Sequence, residues 1–283
     1  MNQNELENLE IDLLLEAVFR RYGYDFRSYA RASVVRRLRQ LLEQTGLASA
    51  GELIPKALHD PAFFQELLAA LSITVSGMFR DPEFWRSLRE NVVPLLRTYP
   101  YIRVWVAGCA SGEEAYTMAI LLKEEGLAAH STIYATDIND QALAVAKEGI
   151  YPLRQVREYS ENYQKSGPHD SFSRYCHASH DHIIMSRELK KNITFANHNL
   201  VSDQVFAEMH LILCRNVMIY FNQELKDRVL GLLDSSLIRG GFLCLGTKES
   251  LRFSSSESCC EEIDSKNKIY RKRVREINGR QAR

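Results

Sequence analysis

Two acidic residues follow a glycine-bearing turn directly, an arrangement that could bind a positively charged ligand. The apolar run 104–107 breaks at Gly108 and Gly112, and a helical pattern then begins with Glu113 and Glu114. A strand, a turn with glycines and a helix form a local geometry in which a ligand can approach backbone amides closely.

A third carboxylate follows the next predicted strand. The apolar run 132–136 is followed by Asp137, which lies 25 residues beyond Gly112. A carboxylate at that distance can accept hydrogen bonds from a ribose diol. The turn and Asp137 together predict an adenosine-containing cofactor in a doubly wound sheet.

The details of the turn favour one cofactor over others. A dinucleotide fingerprint requires a third glycine, and a phosphate-cradling loop requires Lys and then Ser or Thr after its second glycine. Here Gly112 is followed by two glutamates, which would repel a pyrophosphate. They suit the ammonium and sulfonium groups of S-adenosylmethionine, so we expect that cofactor. An ordinary strand-turn-helix, with acidic residues favoured by the helix dipole, stays open as the alternative.

Further polar side chains stand where predicted helices or strands end, and ligands of open parallel sheets gather at strand ends. They are Thr74, Ser76 and Arg80 at a break between helices, Asn199 with Leu200 after one strand, and Arg215 with Asn216 and Tyr220 after another.

The elements that must position these residues follow two patterns. Apolar residues recur at helical spacing through residues 8–75, and one more helix is predicted over 82–96. From residue 102 onward strands and helices alternate, which predicts an α/β fold with a doubly wound, mostly parallel sheet. The predicted strands are 102–107, 132–136, 193–196, 211–214, 242–246 and 268–271, and the predicted helices between them are 113–124, 139–147 and 223–238.

This pattern divides the chain into two expected domains. Residues 1–80 form a small all-helical domain, and residues 81–283 form the α/β cofactor-binding domain. Residues from about 151 to 191 interrupt the alternation. Because a break of that length is rarely a bare loop, we expect a small inserted subdomain with short antiparallel strands.

Composition limits the function classes. Lys+Arg 36 against Asp+Glu 36 leaves no net charge, which argues against a nucleic-acid binder. No apolar run is long enough to span a membrane, and the acidic start lacks the pattern of a signal peptide, so we expect a cytoplasmic protein. The six cysteines do not suggest disulfides, and Cys176, His177, His180 and His182 match no zinc pattern, so we expect no metal.

The motifs resemble those of CheR-type chemotaxis protein methyltransferases. Ser-Gly-Met-Phe-Arg-Asp, Ala-Ser-Gly-Glu-Glu-Ala-Tyr-Thr, Ala-Thr-Asp-Ile, Glu-Gly-Ile-Tyr and Cys-Arg-Asn-Val-Met-Ile-Tyr-Phe occur in the order seen in that family and span nearly the whole chain. The resemblance implies a sheet of the S-adenosylmethionine-dependent methyltransferase type. It also implies methyl transfer to glutamate side chains of chemoreceptors, with S-adenosylhomocysteine as the other product.

The resemblance further implies the site residues and the partner. The cofactor contacts it implies are Thr74, Ser76, Arg80, Glu113, Glu114, Asp137, Asn199, Leu200, Arg215 and Asn216, and it leaves open which glutamate makes the contact. The sequence departs from the family pattern at two places, and both concern affinity for the cofactor. Thr74 and Ser76 precede Met78-Phe79-Arg80, where some relatives have asparagine and threonine before Phe-Phe-Arg. The turn reads Gly-Cys-Ala-Ser-Gly, where relatives have Ala-Ala-Ser-Thr-Gly. Our hypothesis for catalysis is that Arg80 and Tyr220 orient the acceptor carboxylate. The implied partner is a receptor's cytoplasmic helical bundle; we expect a monomer, without nucleic acid or membrane insertion.

Basic residues in the early helices suggest how that partner could dock. Residues 20–39 contain seven arginines and one acidic residue, Asp25. This excess predicts a basic face that binds an acidic helical bundle. A helix face that is merely exposed to solvent is the alternative. The arginines are Arg20, Arg21, Arg27, Arg31, Arg36, Arg37 and Arg39.

Two other functions stay open. One is a methyltransferase for another acceptor, such as RNA or a small molecule, although Cys214-Arg-Asn-Val replaces the Asn/Asp-Pro-Pro-Tyr/Phe motif common in nitrogen methylation. The other is a non-catalytic module that binds the cofactor or a receptor and only signals occupancy.

Overall fold

The computed structural model of the chain describes residues 1–72, 76–252 and 254–274. Thr74 therefore lies outside the described residues. The helices are α1 (Gln3–Tyr22), α2 (Arg31–Thr45), α3 (Ala50–His59), α4 (Pro61–Leu71), α5 (Pro82–Asn91), α6 (Val93–Leu96), α7 (Glu113–Glu124), α8 (Asp140–Glu148), α9 (Val156–Lys165), α10 (Arg187–Lys190) and α11 (Gln223–Ser236). The strands are β1 (Ile102–Ala107), β2 (Ser131–Asp137), β3 (Ile150–Pro152), β4 (Cys176–Ser179), β5 (His182–Met185), β6 (Ile193–Asn197), β7 (Met209–Cys214), β8 (Leu237–Leu245), β9 (Cys260–Asp264) and β10 (Ile269–Lys272).

Helices α1 to α4 pack around an apolar core of their own. Asp60 caps α4, since its carboxylate accepts hydrogen bonds from the backbone N–H groups of Ala62 and Phe63, and Pro61 occupies the first helical position, which needs no N–H. Core residues on the helices include Leu14, Val18, Val34, Leu38, Leu41, Leu53 and Leu67, and Phe26 joins them from the connection between α1 and α2.

The described part of the chain after α6 builds a seven-stranded sheet in the order β6-β2-β1-β7-β8-β10-β9. Strands β6, β2, β1, β7 and β8 are parallel neighbours, and β10 and β9 add antiparallel pairs at one edge. The predicted mostly parallel, doubly wound sheet is confirmed. Because the chain runs outward from β1 to β6 and then returns to β7, the strand order reverses between β1 and β7.

Both faces of the sheet are covered, so the central strands are apolar on each side. In β1, Val104 and Val106 face one core, which also contains Tyr116 from α7. Trp105 and Ala107 face the other core, which lies under α11. Alternation of side chains along one strand therefore joins two layers of helices to the sheet.

The interruption predicted after residue 151 contains β3, β4, β5 and α9. The three strands form an antiparallel sheet in the order β3-β5-β4 within the described residues. Tyr159 and Tyr163 on α9 are buried and join the core that covers one face of the large sheet. The expected β-containing insertion is therefore present.

Some predicted boundaries are wrong. The helix predicted over 223–238 ends at Ser236, and Leu237 and Ile238 already belong to β8. Strand β8 also begins earlier than the strand predicted over 242–246, and Gly240 lies inside it with a φ of 78°, where the register with β7 shifts. The helix predicted over 82–96 is broken at Val92 into α5 and α6. Strand β9 was not predicted.

Helices in the described ranges are too short or too polar to cross a membrane.

Candidate active site

A cleft of about 380 Å³ opens at the carboxyl edge of the sheet, beside the point where the strand order reverses. Ligands of doubly wound sheets bind at this reversal. The N-terminal helical segment supplies part of the wall, through Arg37 on α2 and through Tyr29 in the connection before α2. Among the predicted site residues, the cleft is lined by Ser76, Arg80, Glu114, Asp137, Asn199, Leu200, Arg215, Asn216 and Tyr220.

The turn after β1 brings backbone to the cleft. Gly108 and Ala110 line it with φ angles of 74° and 49°, both in the left-handed region. A Cβ atom at Gly108 would stand 2.5 Å from Cγ2 of Val217, so glycine is required for close packing as well as for φ. The segment after β7 therefore packs directly onto the turn after β1.

Asp137 ends β2 and is only 9% exposed. Its Oδ2 accepts a hydrogen bond from the Ala110 N–H at 2.8 Å, and its Oδ1 accepts one from the Asn139 N–H at 2.9 Å. Burial raises the pKa of the Asp137 carboxyl, and these backbone donors oppose the rise. The carboxylate is thus fixed beside the ends of β1 and β2, and its oxygens can accept further hydrogen bonds. The ribose contact stays a prediction.

The two glutamates behind the turn occupy different places. Glu114 lines the cleft with a side chain 15% exposed, and its Oε2 accepts a hydrogen bond from Arg215 Nη1 at 2.8 Å. Glu113 is buried beneath the turn and accepts a hydrogen bond from Ser111 Oγ at 2.8 Å. Burial raises the pKa of both carboxyls, and Arg215 opposes the rise at Glu114. Of the pair, Glu114 is the one in the cleft wall.

Arg215 joins three segments at the base of the cleft. Its Nη1 donates to Glu114, its Nη2 donates to Asp81 Oδ2 at 2.7 Å, and its guanidinium carbon lies 4.0 Å from the ring centroid of Phe84. The side chain is 1% exposed. Removing one partner of such a pair leaves a buried charge uncompensated. Arg215 therefore fixes the end of β7 against α5 and α7, and its contact with a cofactor stays a prediction.

Glu249 holds the segment after β7, and sequence reasoning missed it. The buried carboxylate accepts three backbone hydrogen bonds: Oε2 from Asn216 at 2.9 Å and from Gly246 at 2.6 Å, and Oε1 from Met218 at 2.8 Å. These bonds support Asn216 in the left-handed region, at a φ of 62°. The signal that could have found it was its position, because Glu249 follows a strand end as the other site residues do.

The cleft also contains cationic side chains. Arg80 is exposed, and its guanidinium forms no ion pair within the described ranges. Arg37 lies with its guanidinium carbon 5.6 Å from the ring centroid of Tyr220, and its Nη1 donates to the Ala70 carbonyl at 3.0 Å. Arg80 and Tyr220, the predicted acceptor-orienting residues, thus line one cavity together with a third donor, Arg37. Their roles stay predictions.

The arginines expected to form a basic face on the early helices are largely paired within the protein, and docking of an acidic partner there stays a prediction. Most of these arginines pair with acidic residues, chiefly on α1, and Arg37 points to the cleft instead of the surface. The paired arginines are Arg20 with Glu16, Arg27 with Glu16 and Asp25, Arg31 with Asp12, and Arg39 with Glu7.

Another part of the wall comes from the segment after β6. Asn199 Oδ1 accepts a hydrogen bond from the Val201 N–H at 2.9 Å, and Leu200 is buried beside it. His198 also lines the cleft and was not predicted. Its Nε2 lies 3.3 Å from the Gln204 carbonyl oxygen, whereas its buried Nδ1 has no hydrogen-bond partner among the described residues.

Comparison with known proteins identifies the family. Residues 74–268 match the CheR methyltransferase SAM binding domain, and residues 9–72 match the CheR methyltransferase all-alpha domain. The chain belongs to the CheR methyltransferase family. It therefore contains an S-adenosylmethionine-binding methyltransferase domain behind the helical segment, as the sequence predicted.

Relatives from several bacteria cover most of the chain. A Pseudomonas putida protein named "Putative methyltransferase Cher3" is 48% identical, over 96% of this chain and all of that protein. The chemotaxis protein methyltransferase of Listeria innocua is 31% identical, over 87% of this chain and 92% of that protein. The chemotaxis protein methyltransferase of Salmonella typhimurium is 28% identical, over 84% of this chain and 82% of that protein.

The residues of the cleft fit S-adenosylmethionine. Carboxylates of Asp137 and Glu114 offer acceptors for hydroxyl and ammonium donors, and the turn at Ala110 presents backbone without a bulky side chain. Ser76, Arg80 and Asn216 add further polar residues to the wall of the cleft. A ligand with several polar groups suits such a wall better than a wholly apolar ligand does.

Proposed function

We propose that this chain transfers a methyl group from S-adenosylmethionine to glutamate side-chain carboxylates of chemoreceptors, forming glutamate methyl esters. The observation that carries the proposal is the composition of one cleft. Its acidic residues, Glu114 and Asp137, suit a cofactor with positive charge, whereas Arg37, Arg80 and Tyr220 suit an anionic acceptor. The names of the Listeria and Salmonella relatives, chemotaxis protein methyltransferases, are consistent with an acceptor that acts in chemotaxis.

The chemistry requires positioning more than proton transfer. S-adenosylmethionine supplies an activated methyl group when bound. A glutamate carboxylate is already ionised at neutral pH, because its reference pKa is about 4.3, so the cleft needs no general base. In this proposal Arg80 and Tyr220 donate hydrogen bonds that hold the acceptor carboxylate in one orientation. In this proposal the bound cofactor and the docked acceptor together exclude water from the reacting atoms.

The first test identifies the bond that is formed. The purified protein is incubated with the cytoplasmic domain of a chemoreceptor from the same organism and with S-adenosylmethionine labelled in its methyl group. Label on the receptor should be released as methanol by mild alkali, because carboxyl methyl esters are base-labile. The matched control is the same receptor with its acceptor glutamates changed to alanine, which should not be labelled. Base-stable label would indicate nitrogen methylation and contradict the proposal.

Arg80→Ala tests the catalytic role of the cationic side chains. Arg80 is exposed, so the fold should be preserved and the unfolding temperature should stay close to that of the wild type. Loss of a donor at the reacting carboxylate should reduce kcat by roughly 10²–10³-fold. Arg80→Lys, which keeps the charge without the fork, should recover part of the activity. Near wild-type kcat for Arg80→Ala would rule out this role.

A further inference from the structure

A smaller pocket lies beside the cleft, on the other side of the turn that carries Tyr220. The turn Met218–Tyr220 is a single 3-10 turn: Tyr220 lines the cleft, whereas Met218 and Ile219 line the pocket, whose volume is about 180 Å³. Its remaining walls come from α11 and from the segment after β8. We call it the basic pocket, and its defining residues are Met218, Lys226, Leu230, Lys248, Ser250 and Arg252.

Positive charge exceeds negative charge in the walls of the basic pocket, which contain three cations and one carboxylate. Lys226, Lys248 and Arg252 line it, and none of them forms an ion pair with another described residue. The carboxylate in its wall belongs to Glu249, whose two oxygens already accept three backbone hydrogen bonds. Like charges held near one another repel, and a bound anion would relieve that repulsion.

The rest of the wall indicates what kind of anion fits. Met218 and Leu230 are buried and form an apolar floor, and Ile219 adds a half-buried aliphatic side chain. A free inorganic anion would leave this floor without a partner. A carboxylate on an aliphatic stem uses both the cations and the floor, as a glutamate side chain of a polypeptide would.

We propose that the basic pocket binds an acidic side chain of the same polypeptide that presents its acceptor glutamate to the cleft. This inference rests on the proposed function. The two cavities lie on either side of one 3-10 turn. We therefore expect carboxylates one or two turns apart on an acceptor helix, roughly 5–11 Å along its axis, to reach both. The second contact then selects the register of the acceptor helix and hence which glutamate is methylated.

A charge-removing pair of substitutions tests the pocket in the full-length protein. Lys248→Gln/Arg252→Gln removes two cations, and Lys147→Gln/Arg239→Gln removes two exposed cations that lie outside both cavities. The pocket variant should raise KM for the receptor domain at least fivefold, with kcat and S-adenosylhomocysteine affinity unchanged. The control variant should match the wild type in all three.

The receptor supplies the complementary arm. Once its acidic residues other than the acceptor are changed to glutamine, the wild type and the pocket variant should have the same KM. Equal KM values with the unmodified receptor would overturn the inference. Weaker S-adenosylhomocysteine binding in the pocket variant would also overturn it, because the cations would then serve the cofactor site.

Direct binding separates failure of the inference from failure of the proposed function. If the wild type methylates no receptor glutamate, the proposed function fails. Fluorescence anisotropy with a labelled hexaglutamate peptide then decides whether the pocket binds acidic side chains. The pocket variant should bind the peptide at least fivefold more weakly than the wild type and the control variant do. Equal binding by all three proteins would overturn the inference.

Discussion

Glu113 is a buried carboxyl at the start of α7, and this position should make stability depend on pH. Burial raises its pKa above the ordinary value of 4.5. A raised folded-state pKa means that the contribution of Glu113 to stability is complete below the ordinary pKa. That contribution is lost as the pH rises through the raised value, since ionisation costs more in the fold than in the unfolded chain.

Glu113→Gln removes this titration and keeps an oxygen that can accept the hydrogen bond from Ser111. The unfolding temperature of the variant relative to the wild type should therefore increase as the pH is raised from about 4 to about 7. Thermal unfolding at several pH values measures it. Glu66→Gln, on the exposed side of α4, is the control for the effect of the substitution itself. A pH-independent difference for Glu113→Gln would contradict the prediction.

At the scale of single residues, the sequence predicted which residues lie together in the cleft but not what each side chain contacts. Nine of the ten predicted site residues that the structure describes line the cleft, because all follow strand ends or flank the break between helices. The choice between Glu113 and Glu114 could not be made from sequence. Consecutive helical residues differ by about 100° in direction, and only the packing of α7 on the sheet decides which one faces the cleft.

At the scale of elements, the turn after β1 and the segment after β7 behave as one packed unit. Gly108→Ala should destabilise the protein by about 1–3 kcal/mol, because the added methyl group would clash with Val217 in a conformation that is also strained for alanine. Gly126 has a φ of 70°, and no packed atom lies within 4 Å of the position that a Cβ would take, so Gly126→Ala measures the backbone strain alone.

Urea unfolding of a double-mutant cycle separates the clash from the strain. In the Gly108→Ala background, Val217→Ala should restore part of the lost free energy of unfolding. The loss that remains should equal the one measured for Gly126→Ala. Strictly additive effects of Gly108→Ala and Val217→Ala would show that the two segments do not pack as described.

Helices and strands could be predicted from the sequence where the apolar pattern is strong. Their presence or their boundaries could not be predicted at the polar edge of the sheet or where a strand is irregular. The strand predicted over 102–107 coincides with β1, since every position but Arg103 is buried. Strand β9, with the sequence Cys-Glu-Glu-Ile-Asp, lies at the sheet edge and lacks apolar alternation, so nothing in its sequence indicated a strand. The helix predicted over 223–238 ran too far because Leu237 and Ile238 continue the apolar pattern across the boundary.

At the scale of the whole molecule, the helical segment completes the site on the sheet. The Ala30 N–H donates to the Tyr220 carbonyl at 2.7 Å, the Asn222 N–H donates to the Ser28 carbonyl at 2.9 Å, and Tyr29 pairs with Phe221 as an isolated bridge. These contacts join residues that are nearly 200 positions apart in sequence. No local sequence pattern indicates contacts between such distant residues. For this reason Tyr29 and Arg37 were not predicted to line the cleft.

The adjacent residues Arg36 and Arg37 therefore differ in function, although the sequence assigned both to one docking face. Arg37 lines the cleft and donates to the Ala70 carbonyl, whereas Arg36 is exposed on α2. Arg37→Ala should lower kcat/KM for the receptor domain at least tenfold and should reduce the free energy of unfolding by about 1 kcal/mol, the typical net value of a hydrogen bond.

Arg36→Ala is the matched control, because it removes the same charge at the adjacent position, which does not line the cleft. Its kcat/KM and its unfolding free energy should stay close to those of the wild type, since exposed charges contribute little. Initial-rate assays and urea unfolding of the two variants measure both quantities. Equal losses of kcat/KM would restore the exposed face of α2 as the docking determinant. A loss confined to Arg37→Ala would place the contribution of the helical segment inside the cleft.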